Sequence, residues 1–394
     1  MKILIDAQYF TTPPALRRGP FQFSTVLIKE LLKRGQNDYE LFFFDKNRER
    51  NNLKYVKELM NEIEVPIHEC NNVSYKELQY AVSNSQVYSS KDITTTDFDI
   101  IFFQTPVFVK IPNRSVQIAM FHDCGFKNFH GRTHISDIEK LRFMNAESVF
   151  SKVIENDTIA FTVSEYTKQQ FLKNTVLNEK NLFVISDLYD SYVCYEEVNL
   201  DFVNKYTENS PYILFIGKLD TKKNLNRIIK AFEIVNAKYN ELKLVLIGNY
   251  GKLNDESKYY SEMIESSSSQ GNIIVLHDID DVQKRWFLSS AELLFFPSLY
   301  EGFGIPIIEA QACGCPVLTS TTTACPTTAG EGGAVLVDPY DLEDIVSGVE
   351  CILNDAELKS SLIQNGYKNI KLYTPDKCAE LTELAFEAIY NRLR

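Results

Sequence analysis

Short apolar segments alternate with helical patterns along this chain, and that alternation constrains the fold more than any other feature of the sequence. In the first half, the segments that predict β-strands are residues 3–6, 41–45, 65–68, 100–104, 116–122, 159–164 and 182–186. Between some of them, residues 24–33 and 138–155 carry apolar side chains at helical spacing. Strands and helices that alternate in this way predict parallel sheets with helices on both faces.

The alternation stops once, at residues 196–211, and then starts again. This stretch is polar and ends in Pro211, so we interpret it as a linker or domain boundary. The strands predicted after it are residues 212–217, 242–248, 273–277, 293–297, 317–320 and 334–337. With 394 residues, of which 44% are hydrophobic, the chain can form two cores of ordinary domain size. We therefore predict an α/β protein with two doubly wound domains.

Charge and composition exclude several classes of protein. The net charge of −12 argues against nucleic acid as a partner, because binding it needs a basic face. Residues 1–190 hold 23 Lys and Arg against 24 Asp and Glu, and the remainder holds 18 against 29, so the first half is the better candidate for contact with an anionic membrane. The eight cysteines form no Cys-x-x-Cys pair, which favours buried reduced thiols over a zinc site or a disulfide framework.

The beginning of the chain predicts the cellular location of the protein and argues against a dinucleotide cofactor. No apolar run approaches the roughly 20 residues needed to span a bilayer, and residues 1–6 are typical of a strand rather than a signal peptide. We expect a cytoplasmic protein, soluble or peripheral at the inner face of the membrane. A dehydrogenase is disfavoured because the first strand leads into Asp6-Ala7-Gln8-Tyr9, not into Gly-x-Gly-x-x-Gly.

Two carboxylates flank a glycine-rich turn in the second half. Glu301 and Glu309 lie eight residues apart, on either side of a turn that follows the predicted strand 293–297 and opens into a helix. Pro306 suits the first helical turn, where a missing N–H costs nothing, and neighbouring backbone N–H groups can then point outward. A helix start of this kind favours an anion, so the pattern predicts a diphosphate held between hydroxyl-bearing groups.

Residues 297–317, which contain this turn, closely resemble the donor-site signature of retaining glycosyltransferases of the GT-B fold, family 4. The resemblance implies that Glu301 contacts the transferred sugar and that Glu309 holds the nucleoside ribose. The donor-binding residues that it implies are Gly302, Phe303, Gly304, Ile305 and Glu309. It also implies two Rossmann-like domains that face each other across a cleft.

The expected domain boundaries follow from the pattern and the resemblance together. Residues 1–195 form an acceptor-side domain and residues 196–374 a domain that binds the nucleotide-sugar. Residues 375–394 carry apolar side chains at helical spacing, and the resemblance implies that this helix crosses back to the first domain.

Two lysines follow the first strand of the second half. Lys218 comes directly after Gly217, and Lys223 lies at the mouth of the next helix. Cations at a strand's carboxyl end can clamp a diphosphate and stabilise the charge that develops as the sugar leaves, and the resemblance assigns this work to both lysines. Relatives very often have arginine in place of Lys218, so the clamp here consists of two point charges.

In the first half, His122 and Asp123 follow a buried strand. Family members commonly carry His-Asp here, and the resemblance implies that His122 reaches the transferred sugar while Asp123 orients the imidazole or the loop. Upstream, Gly19 and Phe23 align with a glycine-rich loop of the family, but Phe21 replaces a glycine and Gln22 a basic residue. We expect this altered loop to shape an acceptor pocket.

These observations predict a retaining, metal-independent glycosyltransferase without a cofactor, acting in polysaccharide or glycoconjugate biosynthesis. Its substrates would be a nucleotide-sugar donor and a saccharide, lipid-linked or protein-linked acceptor. No nucleophilic triad, metal cluster or Asp-x-Asp motif is visible in the sequence. Two alternatives stay open: a catalytically weak partner subunit that binds sugar nucleotides, and an epimerase or phosphorylase on the same fold.

Overall fold

A computed structural model of the chain describes residues 1–11, 19–44, 65–70, 98–104, 115–123, 158–189, 197–250 and 255–393. These residues belong to two compact units. Unit 1 comprises the described residues of Met1–Asn128, Leu141–Leu188 and Pro375–Arg394, and unit 2 comprises those of Tyr189–Thr374. The helical pattern predicted at 138–155 lies outside the described residues.

Unit 1 is built on a parallel sheet of seven described strands. They are β1 (Lys2–Asp6), β2 (Asp38–Phe44), β3 (Ile67–Cys70), β4 (Ile100–Phe103), β5 (Val116–Phe121), β6 (Ile159–Thr162) and β7 (Leu182–Val184). Their order in the sheet is β3-β2-β1-β4-β5-β6-β7, and every neighbouring pair is parallel. The first helices of this unit are α1 (Gly19–Arg34) and α2 (Glu165–Asn174). All seven strands overlap the segments that the apolar pattern predicts.

Unit 2 repeats this plan with a six-stranded parallel sheet. Its strands are β8 (Tyr212–Ile216), β9 (Lys243–Ile247), β10 (Ile273–Leu276), β11 (Leu293–Phe296), β12 (Val317–Ser320) and β13 (Val335–Val337). Its described helices are α3 (Leu200–Thr207), α4 (Leu225–Lys238), α5 (Asp255–Glu265), α6 (Asp281–Ser290), α7 (Ile305–Ala312), α8 (Cys325–Ala329), α9 (Leu342–Asn354) and α10 (Ala356–Asn369). The sheet order is β10-β9-β8-β11-β12-β13, so the direction of strand addition reverses between β8 and β11. The prediction of an α/β protein with two doubly wound halves is confirmed.

The carboxyl-terminal helix α11 (Pro375–Leu393) is part of unit 1 and packs against α1. Its buried Phe386 contacts Phe102 and Phe161 of the sheet, with ring centroids 5.4 and 5.8 Å apart. Arg34, at the end of α1, donates from Nε to Glu383 of α11 over 2.9 Å. The chain therefore returns to unit 1 after it has completed unit 2.

The linker predicted at residues 196–211 is partly helical, since α3 occupies half of it. The side chain of Asn199 caps α3 by accepting from the N–H of Phe202 over 3.0 Å. Val203 is buried, and the Phe202 ring lies 5.3 Å from that of Trp286 on α6. The sequence pattern did not predict this helix because only one of its faces packs against unit 2 and the rest of its surface is polar.

The expectation of a loop at Gly19–Gln22 is also wrong, because these residues form the first turn of α1. Pro20 explains the difference: its fixed φ suits a helix, and its missing N–H costs nothing in a first turn. The expectation that these residues shape an acceptor pocket stays a prediction, now for the start of a helix and not for a loop.

The strand ends of β8 and β9 approach each other very closely at two glycines. Gly217 adopts φ +151°, and a Cβ atom built on Gly248 would lie 1.8 Å from the carbonyl oxygen of Gly217. No side chain fits there, so this edge of the sheet requires glycine at position 248.

We expect Gly248→Ala to lower the free energy of unfolding of unit 2 by about 1–3 kcal/mol or more, because the methyl group forces the two strand ends apart. Gly271→Ala is the matched control, since a Cβ there meets no atom within 4 Å. Urea unfolding followed by the fluorescence of Trp286, the single tryptophan, reports on this unit. Equal stability of the two variants would contradict the close approach.

Candidate functional site

The site begins where the strand order of unit 2 reverses. β8 and β11 are neighbours in the sheet and run parallel, so the segments that follow them leave from the same edge. Lys218 and Lys223 follow β8, while Glu301 follows β11. In open parallel sheets this reversal point at the carboxyl ends of the strands is where ligands bind.

Asp220 organises the segment after β8. This carboxylate is 7% exposed and accepts the backbone N–H of Lys223 through Oδ1 over 3.1 Å. Its Oδ2 lies 3.2 Å from Nζ of Lys218, whose side chain is 31% exposed. The buried Asp220 carboxylate therefore contacts both lysines. It accepts the backbone N–H of Lys223 and forms an ion pair with the side chain of Lys218.

Asn224 joins this segment to the end of β11. It adopts φ +64°, and its side-chain amide donates to the carbonyl oxygens of Pro297 and Pro339 over 2.9 and 2.7 Å. The left-handed conformation is accessible to asparagine at small cost. The connection after β8 is thereby tied to the connection after β11.

Lys223 and Glu301 form an ion pair across the two connections. Nζ of Lys223 lies 2.5 Å from Oε1 of Glu301, and the side chains are 17% and 8% exposed. The ammonium also lies 4.9 Å from the centroid of the Phe296 ring, a favourable cation–π contact. The structure therefore brings together the two residues for which the sequence predicts charge stabilisation and sugar contact.

The turn after Glu301 is shaped by its glycines. Gly304 is the residue before α7, with φ +103°, and a Cβ there would lie 3.0 Å from Cδ1 of Ile307. The carbonyl oxygen of Phe303 accepts from Oγ1 of Thr328 over 2.7 Å, and this hydrogen bond ties the turn to α8. Helix α7 then starts at Ile305. Pro306 has no N–H, and the N–H of Ile307 donates to the carbonyl oxygen of Gly304 over 2.9 Å, so among the described residues of the first turn the N–H of Ile305 is the one left for an anion.

The second predicted carboxylate, Glu309, has a partner that sequence reasoning missed. Oε1 of Glu309 accepts from Nζ of Lys284 on α6 over 2.8 Å, and Nζ of Lys284 also lies 3.0 Å from Asp281. The side chains of Lys284 and Glu309 are only 16% and 11% exposed. Burial alone would lower the pKa of Lys284, but the charges of Glu309 and Asp281 outweigh it and raise the pKa above its usual value.

His122 follows β5 in unit 1, and its environment keeps it neutral. Its ring packs edge-on against Phe23 of α1, with centroids 5.2 Å apart. Both ring nitrogens are buried, and neither has a hydrogen-bond partner in the described part of the chain. Burial lowers the pKa of His122 to about 4, although the neighbouring Asp123 carboxylate acts in the opposite direction.

The described residues contain no group of three or more His, Cys, Asp or Glu side chains placed to hold a metal ion. Cys313, Cys315, Cys325, Cys351 and Cys378 are free thiols. Burial raises the pKa of Cys325 to about 11 and that of Cys315 to about 12. None of the described helices combines the length and apolar content that crossing a bilayer requires.

The region that carries the strand reversal, the lysines and both glutamates matches a known family. Residues 198–369 match the family "Glycosyl transferases group 1". The matched region covers less than half of the chain and lies entirely in unit 2.

Relatives of known description resemble part of the chain. The chain is 26% identical over 178 residues to the O-antigen chain mannosyltransferase B of Escherichia coli, covering 45% of this chain and 46% of that protein. It is 27% identical over 225 residues to the capsular polysaccharide biosynthesis glycosyltransferase CapM of Staphylococcus aureus, covering 54% of this chain and 57% of that protein. The chain thus spans about half the length of these relatives.

Solved structures resemble the whole chain in fold. A sucrose-phosphate synthase from Thermosynechococcus elongatus matches with a TM-score of 0.73 and 14% identity, covering 99% of both chains. Anabaena HepE in complex with UDP-glucose matches with a TM-score of 0.69 and 14% identity, covering 98% of this chain and 99% of that one. Units 1 and 2 therefore have the two Rossmann-like halves of the GT-B fold.

We expect acid to destabilise the protein partly through His122. Between pH 6.5 and 4 the unfolded chain binds a proton on this histidine and the folded chain does not, so stability falls as the pH falls through that window. At pH 5 the cost is about 2 kcal/mol, since each pKa unit corresponds to about 1.4 kcal/mol.

The test compares denaturant unfolding of the wild type and His122→Phe at pH 7.5 and pH 5, followed by circular dichroism. Phenylalanine keeps an aromatic ring against Phe23 but cannot titrate. The wild type should lose about 2 kcal/mol more than the variant. Identical losses would show that the folded histidine titrates like an exposed one.

Proposed function

We propose that this protein is a retaining, metal-independent glycosyltransferase that moves a sugar from a nucleotide diphosphate-sugar to an acceptor hydroxyl, in polysaccharide or glycoconjugate biosynthesis. The observation that carries the proposal is the Lys223–Glu301 ion pair at the strand-reversal edge of the sheet, within the region that matches the group 1 family. The relatives named for O-antigen and capsular polysaccharide support this class of product.

In this proposal the diphosphate binds between Lys218, Lys223 and the start of α7. Lys223 uses one N–H donor on Glu301, and an ammonium has three, so two remain for phosphate oxygens. The helix start adds the backbone N–H of Ile305 and the positive end of the helix dipole. Glu301 then accepts from hydroxyls of the transferred sugar, and Glu309 from the ribose.

The chemistry that these residues can support is charge stabilisation. As the glycosidic bond breaks, negative charge accumulates on the phosphate that leaves, and Lys218 and Lys223 stabilise it. The departing phosphate oxygen takes the acceptor's proton on the same face of the sugar, as the family resemblance implies, so configuration is retained. In this proposal, positioning of the substrates and electrostatic stabilisation of the transition state account for the rate enhancement. Lys218 and Lys223 take the place of a divalent cation.

His122 and Asp123 complete the proposed catalytic set. A neutral imidazole offers one donor and one acceptor, and the buried nitrogens of His122 suit hydroxyl groups of a sugar better than a charge. We assign His122 to the transferred sugar and Asp123 to orientation of the loop, since neither ring nitrogen of His122 has a hydrogen-bond partner among the described residues. The acceptor is a saccharide free or linked to lipid or protein, and the near-neutral first half favours that half for contact with an anionic membrane.

A panel of nucleotide-sugars tests the proposal directly. Each is incubated with the protein without acceptor, and slow release of nucleoside diphosphate is measured with and without excess EDTA. We expect hydrolysis of one donor with the same rate in both conditions. No hydrolysis of any donor would favour the weak partner subunit, and loss in EDTA restored by Mg²⁺ would refute the metal-free mechanism.

We expect Lys218→Ala and Lys223→Ala each to lower kcat by about 100- to 1000-fold, by analogy with the removal of one oxyanion donor. Each lysine interacts more strongly with the charge of the transition state than with the ground state. Lys230→Ala, which alters an exposed lysine on α4, is the control. Steady-state kinetics decide: a variant with normal kcat and only a raised KM for the donor would show that its lysine binds both states equally.

A further inference from the structure

We propose that Lys284 is a positioning residue that orients the Glu309 carboxylate toward the ribose of the nucleotide. This inference rests on the proposed function, and it concerns a residue outside the predicted donor signature. Lys284 acts through Glu309, so its effect should depend on the hydroxyl groups of the ribose and on no other part of the donor.

Lys284 binds one carboxylate oxygen of Glu309, and the other oxygen remains available to a ligand. Nζ of Lys284 binds Oε1 over 2.8 Å, while Oε2 has no protein partner among the described residues. A carboxylate held by one oxygen has a restricted rotamer, and its second oxygen can accept from ribose hydroxyls. Because Glu309 lies on α7, one turn after the helix start, that oxygen lies near the proposed phosphate position.

Lys284 is itself held in place. Its side chain is 16% exposed, and its ammonium lies between the carboxylates of Glu309 and Asp281. Asp281 is 70% exposed and holds the other side of the ammonium over 3.0 Å, so the lysine cannot easily swing away.

Anchoring of α6 does not explain a buried lysine at this position. The helix is already held to the core by Phe287 and Leu288, which are 0% and 1% exposed. Its start is fixed by a capping box in which Asp280 and Gln283 hydrogen-bond reciprocally. Lys284 therefore adds a contact to α7 that the fold of α6 does not need.

The test measures how much the ribose hydroxyls contribute to binding, with and without Lys284. UDP, GDP and ADP and their 2′,3′-dideoxy forms are titrated by calorimetry against the wild type, and the base that binds best is used further. We expect the ribose form to bind the wild type about 10- to 100-fold more tightly than its dideoxy form, the range for hydrogen bonds to a charged group. In Lys284→Met this ratio should fall below about 5, with affinity for the dideoxy form changed by less than about 3-fold.

Lys243→Met is the matched control. Lys243 is also a buried lysine in an ion pair, with Glu208, but it lies at the amino end of β9, on the opposite edge of the sheet. This variant should keep the wild-type ratio. If Lys284→Met does not fold, Lys284→Leu replaces it, since leucine is also apolar and offers Glu309 no donor, and the same fall in the ratio is expected.

The outcomes distinguish failure of the positioning role of Lys284 from failure of the proposed function. A wild-type ratio in a folded Lys284 variant overturns the positioning role and leaves the proposed function intact. Failure of every nucleoside diphosphate to bind the wild type overturns the proposed function, and the positioning role falls with it. A ratio that falls equally in Lys243→Met would show a general loss of structure and would also overturn the assignment.

Discussion

The ion pair between Lys223 and Glu301 is the interaction on which the rest of the site depends. It joins the connection after β8 to the connection after β11, and these strands are neighbours only because the strand order reverses between them. The same pair places a cation and a carboxylate, both largely buried, at one edge of the unit 2 sheet. Without it, the predicted diphosphate clamp and the predicted sugar contact would be separate features of two loops.

Each of three lysines at this edge is matched by a carboxylate: Lys218 by Asp220, Lys223 by Glu301 and Lys284 by Glu309. Buried ion pairs contribute little net stability, because desolvation of both charges offsets their attraction. Their value lies in geometry, since each paired side chain has one orientation before a ligand arrives. A binding site prepared in this way loses less conformational entropy when the donor binds.

Much of this arrangement was predictable from the chain itself. The apolar runs that form β8 and β11 are uninterrupted and nearly fully buried, so their positions follow from hydrophobicity alone. The turn from Glu301 to Pro306 was predictable because glycine and proline restrict the backbone in known ways. In contrast, α3 was hidden by its polar exposed face, and Gly19–Gln22 was assigned to a loop although Pro20 suits a first helical turn.

The partners of the site residues could not be predicted. Lys284 lies 25 residues from Glu309 along the chain, and only the packing of α6 against α7 shows that they meet. Asp220 carries a local signal, a carboxylate three residues before the N–H that it caps, but nothing in the sequence shows that it also binds Lys218. The contact of Gly248 with Gly217 likewise depends on strand register, which periodicity alone does not specify.

A crystal structure of the protein soaked with a nucleoside diphosphate tests the central claim most directly, that the strand-reversal edge of unit 2 is the donor site. We expect the β-phosphate to lie within hydrogen-bond distance of the Lys218 and Lys223 ammonium groups and of the backbone N–H of Ile305 at the start of α7, with a ribose hydroxyl on Glu309. Density for the nucleotide at another edge of the sheet, or a Lys223–Glu301 pair that no phosphate approaches, would contradict the account.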